Sequence, residues 1–146
     1  MIERFTLLLL YLFFGLLGCG LKEDSQQAPA NDCSDLALKI KELEQVLFSS
    51  PDSLTPNENI RGQLMSDYAA FSNFCHTDTQ TPEMLFRRAD LLRSAGKFQE
   101  AMTQLRDIHD HFPEYDKRAI CAFLVGFIAE VELNDREQAK KTYEQV

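Results

Sequence analysis

The stretch PEMLFRRADLLRSAGKFQEAMTQLRDIHDHFP, residues 82–113, decides how this chain folds. Thr81-Pro82-Glu83 predicts a helix start, with threonine at the N-cap and proline at the first helical position, where its missing N–H costs nothing. Gly96 suits the left-handed residue that ends such a helix. Beyond it Phe98, Ala101, Met102, Leu105, Ile108 and Phe112 return at helical spacing and mark one inward face, until Pro113 stops the run. Two helices joined by so few residues lie antiparallel. The small side chains of Ala89 and Ala101 allow them to approach closely.

The same periodicity extends in both directions. Leu36, Ile40, Leu43 and Leu47, spaced by four, three and four, predict a first helix over about 34–48. Ser49-Ser50-Pro51-Asp52-Ser53 breaks it, and Thr55-Pro56-Asn57-Glu58 repeats the start signal as a capping box. Ile60, Leu64, Tyr68, Phe71 and Cys75 form the stripe of the second helix. Downstream, Arg118 to Leu133 reads as a fifth helix and Asp135 to Val146 as a sixth. Strand-like alternation and hairpin dipeptides are absent from the sequence, so the expected fold is all-α, with antiparallel helix hairpins stacked as a short solenoid.

Ala89, the turn Gly96-Lys97-Phe98, Glu100-Ala101, Leu105, Ile108 and Pro113 give the central hairpin its resemblance to the tetratricopeptide repeat. A second copy resembles it through Gly126 at the small position, Asn134-Asp135-Arg136 at the turn, Gln138-Ala139 and Tyr143. Ala101 and Ala139 are 38 residues apart against a family period of about 34, which places an insertion mainly around Tyr115 to Arg118. Residues 33–80 resemble a degenerate copy, and 81–146 two repeats of which the last lacks a final turn and proline. The resemblance implies that the first helix of each pair lines a concave side that binds partner segments. Carried over by position, that face holds Glu83, Phe86, Asp90 and Arg93, then Phe123, Phe127 and Glu130. Such a mixture suits a segment with exposed hydrophobics and some basic charge. The fifth helix, residues 118–133, is apolar on every side from Ala119 to Ala129 and so calls for cover all round. Either the chain is a truncated product or another subunit covers it, which would make 118–133 a site of self-association.

At the N-terminus, Arg4, an apolar run from Phe5 to Leu17, and Leu16-Leu17-Gly18-Cys19 are similar to the signal and lipobox of bacterial lipoproteins. The run of about 13 residues covers about 20 Å at a helical rise, short of the ~30 Å of a hydrocarbon core. The resemblance implies cleavage between Gly18 and Cys19, and a diacylglycerol with an N-acyl chain such as palmitate on Cys19. Anchoring by several chains is stable where one is marginal. Residues 1–18 are then a signal peptide, and 19–32, polar and without apolar periodicity, a lipidated cysteine with a flexible tether. By resemblance to lipoproteins of this type, Gly20 rather than aspartate after the anchor is compatible with the outer membrane of a bacterial envelope, facing the periplasm or the surface.

The formal net charge of −8 is unchanged by loss of residues 1–18, where Glu3 and Arg4 cancel, and it argues against nucleic acid as a partner. Cys33 opens the first helix and Cys75 closes the second, so an antiparallel pair brings both to one end, where export permits a disulfide. Cys121, within an apolar run, is expected to be a small core residue. His109-Asp110-His111 does not predict a metal site, since neighbours two apart on a helix diverge by about 200°. No hydrolase, metalloprotease, phosphate-loop or dinucleotide motif occurs, so no catalytic residue, metal or cofactor is expected beyond the lipid itself. The expected function is a membrane-anchored adaptor for envelope proteins or their peptide segments, resembling in fold and address the repeat lipoproteins of outer-membrane assembly. A surface nutrient- or glycan-binding lipoprotein is the alternative, disfavoured by the absence of Trp and the short chain.

Overall fold

A computed structural model of the chain describes residues 33–49 and 58–145. The signal, lipobox and tether, and the Thr55-Pro56 start signal, lie outside the described residues. Among the described residues six α-helices follow one another: α1 (Cys33–Phe48), α2 (Glu58–Phe74), α3 (Thr81–Ser94), α4 (Phe98–His111), α5 (Arg118–Phe127) and α6 (Arg136–Tyr143). Each packs chiefly on its neighbours in sequence, which is the nearest-neighbour construction of a solenoid. Among the described residues there is no strand, and no helix is long and apolar enough to cross a membrane.

Two clusters make the core, and α3 is the wall between them. Its Met84 and Leu91 join Leu36, Ile40, Leu64, Tyr68, Phe71 and Cys75 on one side. Its Ala89 and Leu92 join Ala101, Leu105, Ile108, Cys121, Val125, Ile128 and Ala139 on the other. The small residues do what close packing requires: Ala89 and Ala101 are fully buried, and a Cβ on Gly126 would fall 2.5 Å from the Tyr143 ring. Cys33 and Cys75 are joined, with Cα atoms 5.9 Å apart, so α1 is stapled to the end of α2.

Both repeat turns use a left-handed residue, Gly96 at φ 74° and Asn134 at φ 53°. At the first, Gly96 N–H donates to the Arg93 carbonyl and Lys97 N–H to that of Leu92, the paired bonds that close a helix. At the second, the matching bond from Asp135 N–H reaches Ala129, one residue longer. The surplus residue is absorbed in a π-helical turn, Ile128–Glu132, where the continuous helix expected to Leu133 widens. Ala89 to Gly96 is seven residues and Gly126 to Asn134 eight, so one of the four inserted residues sits inside this helix and three precede Gly126.

One further expectation is corrected. Thr81 lies inside the first turn of α3 with Gln80 at the N-cap, and its hydroxyl donates to the Cys75 carbonyl instead of capping the helix. The bend held by Cys75 brings that carbonyl within reach. On the fifth helix Ile120 and Phe123, with Val131 in the π-turn after it, stand about half exposed, so the cover its composition calls for is incomplete among the described residues.

Candidate interaction groove

A hollow of about 220 Å³ opens between α1 and α3, lined by Glu44, Phe48, Tyr68, Glu83, Phe86, Arg87, Asp90 and Leu91. Its floor is a chain of charge-assisted hydrogen bonds. Tyr68 Oη donates to Glu44, and Arg87 Nη1 donates to both Glu44 oxygens at 2.6 and 2.7 Å. Arg87 Nε reaches Glu83 at 3.1 Å, whose other oxygen accepts from Tyr115 Oη at 2.6 Å and Lys117 Nζ at 2.7 Å. Lys117 also sits 5.0 Å from the centre of the Phe86 ring, and Tyr115 meets that ring edge-on at 6.4 Å. The network ties α1, α2, α3 and the α4–α5 connection together.

Burial on its own would raise the Glu83 carboxyl pKa. Hydrogen bonds from Lys117, Tyr115 and Arg87 outweigh it and hold the group at about 2, below its ordinary 4.5. A carboxyl depressed on folding contributes stability above its unfolded value and loses it as the pH falls through the folded one. Glu83→Gln is therefore expected to cost about 1–2 kcal/mol near neutral pH, solvent screening included. In paired thermal melts the difference should shrink between about pH 4.5 and 2, and a gap that stays constant over this window would refute the role given to Glu83.

Two glutamates are thus balanced by one arginine and one lysine, and the groove offers apolar surface rather than free charge. Glu83 is committed internally, against the expectation that it faces a basic partner. Phe48 and Phe86 supply the apolar wall, and Asp90 stands exposed at the rim with Arg93 3.0 Å away. Of the residues expected on this face, Glu83, Phe86 and Asp90 line the hollow and Arg93 touches it through Asp90. Phe123, Phe127 and Glu130 gather elsewhere, around Tyr143 of α6. Sequence reasoning missed Glu44, Tyr68, Arg87, Tyr115 and Lys117 as members of the site. Only the Glu83/Arg87 spacing of four carried a local signal.

Cys121, His109 and His111 make structural contacts. The Cys121 thiol is buried, which pushes its pKa up to about 11, the nearby Lys117 opposing this. His109 turns to Asp110 and His111 to the Asp107 carbonyl, so the two rings point to different partners. Arg118 donates to the His109 carbonyl at the end of α4.

Residues 83–115, which are α3, α4 and the turn after them, match the family model of the tetratricopeptide repeat. No curated protein and no solved structure matches the chain. The α3–α4 hairpin thus resembles a tetratricopeptide repeat, and the other described helices pack on it and on one another as neighbours in sequence.

Proposed function

We propose that the chain is a non-enzymatic adaptor of the bacterial cell envelope, held at a membrane by lipid on Cys19, that binds a segment of another envelope protein. The observation that carries this reading is the α1–α3 groove, whose charges are mutually satisfied and whose aromatic wall is open at Phe48. A floor of that kind repels neither sign of charge and rewards an apolar anchor, with Asp90 at the rim favouring a basic residue beside it. The match to a repeat that generally mediates protein–protein interaction supports the binding role, and the lipobox-like Leu16-Leu17-Gly18-Cys19 supports the anchor.

Site-specific photocrosslinking in intact envelopes tests both halves. A benzophenone side chain at Phe48 is expected to give a discrete adduct with one protein, while the same group at Thr103, exposed on α4, gives none. Palmitate labelling should follow the wild-type chain and vanish in Cys19→Ser. Equal adducts from both positions would sink the groove reading, as would retention on glycan with no protein adduct. An unlabelled wild type would sink the anchor.

A further inference from the structure

The pairing of Tyr68 with Glu44 recurs at the far end of the array. Leu105 follows Tyr68 by 37 residues and Tyr143 follows Leu105 by 38, so the three occupy one repeat position. Tyr143 Oη donates to Glu130 at 3.1 Å, from α6 back to the helix before it, as Tyr68 of α2 donates to Glu44 of α1. The N-terminal pair is completed by the next hairpin. Arg87 of α3 clasps both Glu44 oxygens, while Met84, three residues before it, and Leu91, four after it, bury in the cluster that holds Tyr68.

The C-terminal pair has no such completion among the described residues. No cation is placed against Glu130, and Tyr143 is 37% exposed where Tyr68 is 1% exposed. Phe123 lies 37 residues after Phe86, whose ring is covered by Tyr115 and Lys117, yet Phe123 itself is 51% exposed. It stacks only within its own hairpin, on Phe127 and Tyr143. This is an acceptor surface of the kind that α1 and α2 present to α3, with the carboxylate and tyrosine in place and no donor helix against them among the described residues.

From this repetition we infer that the α5–α6 face docks an amphipathic helix of a partner protein. That helix carries an arginine flanked by aliphatic residues three before and four after it, seated as α3 is seated on α1 and α2. Arginine is specified over lysine because a planar fork can clasp both oxygens of Glu130, as Arg87 does at Glu44. A second copy of the chain fits less well. The exposed side of its α1 has Leu38 with Asp35 three before and Glu42 four after, so carboxylates stand where α3 has Met84 and Leu91. They would be pressed against the Tyr143 ring, where α3 sets aliphatic carbons against Tyr68, and would lose hydration without gaining a partner. The surface is separate from the α1–α3 groove and does not depend on what that groove binds.

A helix-constrained, fluorescein-labelled peptide of residues 81–95 is the probe, since α3 is the internal template. Fluorescence anisotropy against the full chain in mild detergent should show saturable binding. Glu130→Gln should weaken it at least about tenfold, and Phe123→Ala by a similar factor, with circular dichroism unchanged and both variants fully folded at the assay temperature. The Arg87→Gln peptide should lose binding to the same extent. The inference is overturned if the wild-type chain does not bind the peptide, or if Glu130→Gln and Phe123→Ala bind it unchanged. It is overturned equally if sedimentation shows a dimer that Phe123→Ala dissolves, because the occupant is then a second copy.

Discussion

Replacing Cys33 and Cys75 together by serine is expected to cost about 3–4 kcal/mol, with the loss concentrated in α1. The bond closes a loop of 42 residues, for which chain entropy alone gives about 4 kcal/mol as an upper figure. Local packing on α1 is thin by comparison. Only Leu36 and Ile40 are buried outright, at about 1.5–3 kcal/mol each, while Leu38, Val46 and Phe48 face outward. Released from Cys75, α1 should open before the rest unfolds, a sub-global event rather than a global one. Hydrogen exchange should show amides of 33–48 losing protection in the double variant while α3 to α5 retain theirs. Cys121 does not confuse the comparison, because its raised pKa leaves little thiolate to exchange. An unchanged urea midpoint together with unchanged exchange in α1 would remove the staple from the account.

Phe71→Ala is expected to be as damaging, at about 3–5 kcal/mol, since a fully buried aromatic leaves a cavity that helix packing cannot collapse. Phe71 is at 0% exposure in the cluster shared by α1, α2 and α3, so its loss weakens the seating of α3 on the N-terminal hairpin. The contrast is Phe123→Ala, where a half-exposed ring outside the core should cost under about 1 kcal/mol. Urea denaturation of the two variants side by side checks both. A cost below about 1 kcal/mol for Phe71→Ala would mean that α2 and α3 do not share the packing described.

What the sequence disclosed was whatever leaves a local or periodic mark. Gly96 and Asn134 declare their turns because only a few residue types adopt a left-handed conformation cheaply. Ala89, Ala101 and Gly126 declare close approach because larger side chains would collide, as the Tyr143 ring against Gly126 makes plain. The π-turn left no such mark, since the run that leads into it, Ala119 to Ala129, is apolar on every side and carries no phase to interrupt. It emerges only when the seven residues from Ala89 to Gly96 are set against the eight from Gly126 to Asn134. Thr81-Pro82-Glu83 has the composition of a cap, but the hydroxyl is drawn to the Cys75 carbonyl, a tertiary partner invisible at that range. The groove followed the same division. Phe86 and Asp90 could be placed from repeat position, whereas Glu44, Arg87 and Lys117 are recruited from different hairpins, and pairing across hairpins leaves no periodicity to read.

The Cys33–Cys75 bond also sets how force enters the molecule. A pull applied to the chain ahead of Cys33 would, without the bond, peel α1 away one turn at a time. With it, tension passes covalently to Cys75, whose carbonyl is held by Thr81 and whose side chain sits in the core beside Tyr68 and Phe71. The load therefore arrives at the junction of α2 and α3, beside the groove, and α1 and α2, both inside the loop that the bond closes, lie off the mechanical path.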